Sequence, residues 1–89
     1  MSHVGFLYIL QSNSSGRFYI GSTDNIPRRL DEHERGKSLA TRGRGPWKLV
    51  YRERFNSLTG ARRREYEIKR WKSADRIREL LVHALERAV

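Results

Sequence analysis

The chain has no cysteine, two prolines and one methionine among its 89 residues. Without thiols, disulfides and thiolate-held zinc are both excluded. Histidine is scarce as well: His3, His33 and His83 stand far apart with no paired spacing, so a structural metal is not expected. No apolar run is long enough to span a bilayer. The N-terminus lacks the basic segment and apolar stretch of a secretion signal. Together these absences lead to the expectation of a soluble, cytoplasmic protein with no membrane partner. A chain of this length buries a modest share of its surface, so the fold must rest on a thin core held by packing alone. No repeat, linker or low-complexity stretch divides the sequence, and residues 1–89 are expected to form a single domain.

Acidic residues are in the minority, and their distribution is uneven. Residues 1–36 hold four arginines against Asp24, Asp31, Glu32 and Glu34, and so carry no net charge. Residues 37–89 hold fifteen Lys and Arg against six acids, which accounts for the whole net charge of +9. Segregated positive charge is the footprint of a polyanion binder, although the same charge can simply solvate a surface.

Hydrophobic patterning predicts six elements. Residues 4–10 are an apolar, aromatic and β-branched run that reads as a buried strand. Ser12 to Gly16 is a polar turn cluster, and Phe18 to Gly21 is a second strand, closing a hairpin. Asn25 before Ile26-Pro27 caps a helix that runs to about Arg35, with Gly36 as its stop. Lys37 to Pro46 reads as a basic loop. In Trp47 to Phe55, the residues Trp47, Leu49, Tyr51 and Phe55 alternate with charged ones, which predicts a strand with one covered face. Ser57 caps a helix to about Lys72. Ser73 caps a last helix whose apolar stripe, Ile77, Leu80, Leu81, Ala84, Leu85 and Ala88, is expected to lie on the sheet. The order ββαβαα predicts a small α/β (α+β) domain, with a three-stranded, mainly antiparallel sheet flanked by helices.

Five side chains stand out. A hairpin turn centred on Asn13-Ser14 sets Tyr8 directly opposite Tyr19, on one face of the sheet. That pair is also an ordinary cross-strand aromatic contact. Ile26, Arg29, Leu30 and His33 follow helical spacing, which sets Arg29 and His33 one turn apart at the edge of the buried face, with Arg28 and Glu32 pointing elsewhere. A core histidine and a surface cation are the plain alternatives. In the second long helix, Leu58, Ala61, Glu65, Ile68 and Lys72 form the inward stripe, so a carboxylate falls in the middle of an apolar face. Such an acid needs a partner. An i,i+4 ion pair with Lys69 and a bound metal remain equally open.

These residue types suit phosphodiester hydrolysis. That reaction needs an activated water, neutralised phosphate charge and a stabilised leaving oxygen. Mg²⁺ (or Mn²⁺) can be held by a single carboxylate because it keeps several waters, and Glu65 can supply that ligand. Arg29 can grip a phosphate with two N–H groups. A tyrosine can accept a proton from water if its surroundings allow, and His33 can relay the proton or orient a tyrosine.

With those residues in place, the chain resembles the GIY-YIG endonuclease superfamily, in particular its small single-domain members. Tyr19-Ile20-Gly21 matches the second half of the signature. Phe6-Leu7-Tyr8 stands where Gly-Ile-Tyr belongs, with a bulky Phe6 in place of glycine. Arg28-Arg29-Leu30 with His33, and then Arg64-Glu65-Tyr66-Glu67-Ile68-Lys69, are similar to the family's two site-bearing helices. The resemblance runs from about Gly5 to Leu81. It implies a divalent-metal-dependent endonuclease acting on nucleic acid, DNA being the expected substrate, in repair or recombination and without sequence specificity or selective for structure. By residue, it implies Tyr8 and Tyr19 near the attacking water, Arg29 on the phosphate, His33 as helper and Glu65 as the metal ligand.

Larger members carry a targeting domain for which this chain has no room, so substrate choice is expected to come from its own surface or a protein partner. Arg28, Lys37, Arg42, Arg44, Lys48, Lys69 and Lys72 are the candidate phosphate contacts, on the loop from Thr41 to Gly45 and around it. The rival reading is a catalytically silent nucleic-acid-binding module of the same fold. Every candidate position is filled, which favours the enzyme.

Overall fold

The apolar run near the start of the chain becomes the centre of the sheet. In the computed structural model, which describes residues 4–87, strand β1 (Gly5–Ser12) pairs antiparallel with β2 (Phe18–Thr23) on one side and β3 (Trp47–Phe55) on the other. Three helices complete the chain: α1 (Ile26–Glu34) between β2 and β3, then α2 (Leu58–Trp71) and α3 (Ala74–Arg87). A central strand buried on both faces needs apolar residues at every position rather than at alternate ones. Leu7, Tyr8, Ile9 and Leu10 are accordingly all buried.

Those four residues divide two cores between them. Leu7 and Ile9 meet Ile68 of α2 and Ile77 of α3, with Phe18, Ile20 and Phe55 around them. Tyr8 and Leu10 meet Ile26 of α1 on the other face, with Tyr19, Leu30 and Trp47. The two-layer expectation thus becomes three layers, with α1 on one side of the sheet and α2 and α3 on the other.

The hairpin register differs from the one expected. Tyr8 faces Gly21 rather than Tyr19, and Tyr19 faces Leu10. The turn is one residue further along, centred on Ser14-Ser15. The buried Ser12 hydroxyl accepts from the backbone N–H of both Ser14 and Ser15. Gly16 closes the loop at φ +76°, donating to the Ser12 carbonyl, a conformation costly for other residues. Tyr8 and Tyr19 stay on one face as diagonal neighbours.

β3 also departs from simple alternation. Its pairing with β1 slips between Ile9 and Leu10, which leaves Val50 as an extra residue. A bulge of this kind reverses the face that later side chains take. Trp47 and Leu49 therefore pack on the α1 side, while Tyr51 and Phe55 pack on the α2 side. The four apolar residues of β3 do not share one covered face.

The helix boundaries follow the capping residues. Asn25 accepts from Arg28 N–H, Ser57 from Gly60 N–H and Ser73 from Arg76 N–H. Arg64 on α2 reaches across to Glu53 of β3 at 3.1 Å and ties helix to sheet. The stripe of α3 covers the sheet only at its start. Ile77 is buried and Leu80 and Leu81 are half-buried, but Leu85 is 70% exposed, and Ala88 lies outside the described residues. No helix is long and apolar enough to cross a membrane.

Candidate active site

On the α1 face, helical spacing and strand alternation bring four of the five singled-out residues together. His33, buried one turn beyond Arg29, points its Nε2 at the Tyr8 hydroxyl, 2.9 Å away. Arg29 Nε donates to the same hydroxyl at 3.2 Å. The Tyr19 ring packs edge-on against His33 with centroids 4.9 Å apart, and its centroid lies 6.2 Å from that of Tyr8. The tyrosines are not equivalent. Tyr8 is 1% exposed, whereas Tyr19 is half-buried at the open side of the cluster.

The proton positions follow from donor counting. Arg29 can only donate, so the Tyr8 oxygen accepts from it. The Tyr8 proton then goes to His33 Nε2. Burial raises the Tyr8 pKa, although the Arg29 hydrogen bond pulls it the other way, so the phenol stays protonated. With Nε2 accepting, the imidazole proton sits on Nδ1, which lies 2.7 Å from Thr41 Oγ1. Burial, reinforced by the nearby Arg29 cation, pushes the His33 pKa down to about 4, which keeps the ring neutral at physiological pH.

Three supporting residues were not legible in the sequence as such. Thr41, assigned to a phosphate-contacting loop, is instead buried beneath His33, and its carbonyl accepts from Trp47 Nε1 at 3.0 Å. A loop residue has no periodicity that could reveal this. Glu32 does not point away from the cluster. Its carboxylate accepts from Arg29 Nη1 at 2.9 Å, across an i,i+3 step. Burial works against the Arg29 charge, but Glu32 and Tyr8 outweigh it and hold the guanidinium protonated. Gly21 lies under the Tyr8 ring, where an added Cβ would stand 2.5 Å from the hydroxyl oxygen. Only glycine lets the ring lie across β2.

Glu65 is set apart. It comes from α2, on the opposite layer, and reaches the edge strand β2 rather than the middle of the core. Its Oε1 accepts from the Ser22 hydroxyl at 2.5 Å and its Oε2 from Lys69 at 2.6 Å. Its side chain is 22% exposed. The ion pair with Lys69 is therefore present. Ser22 was the missing signal: it shares the α2 face of β2 with Ile20, two residues before it. Among the described residues no three His, Cys, Asp or Glu side chains gather as a metal cluster. A lone, solvent-edge carboxylate fits only a hard cation that keeps most of its waters, such as Mg²⁺.

The candidate phosphate contacts fall in separate places. Arg28 pairs with Asp24 at 2.5 Å, and Lys69 pairs with Glu65. Lys37, Arg42 and Arg44 are exposed on the loop that packs over His33, Lys48 is exposed on β3, and Lys72 is exposed at the end of α2. Those five have no acidic partner among the described residues.

The comparisons with known proteins agree with this geometry. Residues 4–78 match the GIY-YIG catalytic domain. The chain is 45% identical over 65 residues to a UPF0213 protein of Natronomonas pharaonis, covering 72% of this chain and 75% of that one. It is 42% identical over 74 residues to a UPF0213 protein of Syntrophus aciditrophicus, covering 81% and 84%. The solution structure of a UPF0213 protein from Bacillus halodurans superposes with a TM-score of 0.52 at 39% identity, covering 91% of this chain and 84% of that one. With three quarters of its length and more matched in this way, the chain belongs to the GIY-YIG family.

Proposed function

We propose that this protein is a metal-dependent endonuclease that hydrolyses phosphodiester bonds in nucleic acid, with DNA as its substrate. The observation that carries the reading is the hydrogen-bonded chain Arg29–Tyr8–His33–Thr41 beside a half-exposed Tyr19. An aromatic core has no need of a buried neutral histidine set between a phenol and a hydroxyl.

The chemistry divides among the residues as follows. Arg29 is held by Tyr8 and Glu32, and its remaining N–H groups have no acceptor among the described residues. They suit a phosphate, which the planar fork can grip while the helix keeps its position. Tyr19 is the phenol that meets solvent, and its hydroxyl is close enough to influence both Tyr8 and Arg29. The proton lost by the attacking water enters at the tyrosine pair, and the Tyr8 proton passes to His33 Nε2. Buried Tyr8 does not exist as a free phenolate, so its proton must leave as another arrives. His33 has an empty Nε2 lone pair for this purpose because Thr41 takes its Nδ1–H. A phosphate anion seated on Arg29 offsets the cation that depresses His33, which makes the ring more basic when substrate is bound. Glu65 would hold the divalent cation, with Ser22 fixing the orientation of the carboxylate. When bound there, the cation would neutralise charge developing on the phosphate and the leaving oxygen.

A cleavage assay tests the proposal. Labelled single-stranded, duplex, flap and junction DNA, and RNA, are incubated with Mg²⁺, Mn²⁺ or EDTA, beside the Glu65→Gln variant. Metal-dependent cleavage that the variant lacks is the expected result. Intact binding with no cleavage of any substrate by the wild type would leave a silent binding module instead.

A further inference from the structure

A second concave surface opens on the α2 side of the sheet, away from the tyrosine cluster. The hairpin end, the last turn of α2 and the first turn of α3 enclose a cleft of about 410 Å³. Arg17, Lys69, Lys72 and Arg78 line it, and no carboxylate does. Its floor is apolar, formed by core residues that include Phe18 and Ile68. The Arg78 guanidinium lies 5.9 Å above the Phe18 ring and also pairs with Asp75, an exposed contact. Lys69 is engaged by Glu65. Arg17 and Lys72 have no acidic partner among the described residues. Four cations converging on one concavity repel each other, and a protein that needed only solubility would spread them.

The position of the cleft gives it a meaning. Phe18, Ile20 and Ser22 point to the same side of β2, at alternate positions. Four residues of strand separate Phe18, at the cleft floor, from Ser22, which holds Glu65. That is a distance of ~13 Å along the edge of the sheet. Lys69 and Lys72 continue the Glu65 stripe on α2 by one and two turns. A groove of cations therefore begins at the Glu65 carboxylate and runs beside β2 to the hairpin end.

We propose that this cleft is a phosphate subsite, which holds the nucleic-acid strand a few nucleotides from the bond to be cut. The proposal rests on the nuclease reading and extends it by giving the strand a direction across the α2–α3 junction. A basic groove that tracks the backbone supplies affinity without reading sequence, as a domain without a separate targeting module requires.

The test uses binding, so that it does not depend on turnover. In the Glu65→Gln background, Arg17→Ala with Lys72→Asn removes two cations, asparagine being chosen because Lys72 has φ 50° and Asn tolerates that conformation. Fluorescence anisotropy measures Kd for single-stranded DNA against salt concentration. The slope of log K against log[salt] should fall by about two, one for each lost phosphate contact. Arg62→Ala with Arg63→Ala removes the same charge from exposed positions on α2 outside the cleft and should leave the slope almost unchanged. Equal effects from the two pairs would overturn the subsite, since net charge alone would then explain the binding. An unchanged slope for the cleft pair would overturn it as well. No binding of any nucleic acid by the Glu65→Gln protein, folded by circular dichroism, would overturn the nuclease reading together with the subsite.

Discussion

Gly21→Ala is the substitution that most directly asks whether the tyrosine cluster is positioned or merely packed. The added methyl would stand 2.5 Å from the Tyr8 oxygen, 2.6 Å from Cζ and 2.9 Å from Cε1. Carbon atoms in contact prefer about 3.5–4.0 Å, so either the ring or strand β2 must shift by roughly 1 Å. The ring has little room, being 1% exposed and held by both Arg29 and His33. Overpacking of this kind costs about 1–3 kcal/mol. A loss of ~2 kcal/mol in a domain of this size lowers Tm by roughly 8–16 °C. Ile9→Val provides the comparison. It removes a methylene from the core on the other face for about 1 kcal/mol and touches neither tyrosine. Measured well below both melting points, cleavage by Ile9→Val should equal wild type. Cleavage by Gly21→Ala should fall by ~10²-fold, the usual consequence of misplacing reacting groups by about 1 Å. If Gly21→Ala cleaves at the wild-type rate, the placement of Tyr8 by Gly21 has no part in the chemistry.

Glu65→Gln should abolish cleavage while nucleic-acid binding, read by anisotropy, stays close to wild type. Its stability should change little, because an exposed i,i+4 ion pair contributes about 0.3–0.5 kcal/mol, and a collapse of binding and Tm together would make Glu65 structural. Arg29→Lys should lower kcat by ~10²–10³-fold, as expected for loss of a positioned donor to a charged transition state, since an ammonium cannot hold Tyr8, Glu32 and a phosphate in one plane. Thr41→Val should strand the buried Nδ1–H of His33 and cost about 1–3 kcal/mol in Tm or chemical denaturation, whereas Thr41→Ser should restore both stability and cleavage; ¹⁵N shifts of the imidazole should report an Nδ1-protonated ring in the wild type and in Thr41→Ser. His33 also sets a pH dependence: the unfolded ring binds a proton near pH 6.5 and the folded ring near 4, so its stabilising effect is complete above 6.5 and is lost as pH falls from 6.5 towards 4. Between pH 6.5 and 5, wild type should lose stability more steeply than His33→Gln, by at most about 1.4 kcal/mol per pH unit, and equal slopes would show that the ring is not held neutral.

Much of this architecture was legible because it depends on local rules. Caps at Asn25, Ser57 and Ser73 set the helix starts, and the periodicity of Ile26, Arg29, Leu30 and His33 correctly grouped them on one face. The misreadings occurred where a single residue changes parity. A turn centred one residue later moved Tyr8 from opposite Tyr19 to opposite Gly21, and the extra Val50 sent Tyr51 and Phe55 to the far side of the sheet. Strand side chains alternate with period two, so each one-residue event inverts everything beyond it, and nothing in a hydrophobic pattern counts such events. The partners of the candidate residues were hidden for a different reason. Thr41 comes eight residues after His33 from a loop without periodicity, and Ser22 meets Glu65 across forty-three residues of sequence. The chemistry-bearing types could be found by asking which polar residues fall on apolar faces. What holds each of them could not, because a hydroxyl under a histidine and a hydroxyl in open water look the same in a sequence. The glycine of Tyr19-Ile20-Gly21 joins the two problems: it is required only because the register sets Tyr8 above it, so its purpose could not be read until the one-residue correction to the turn was made.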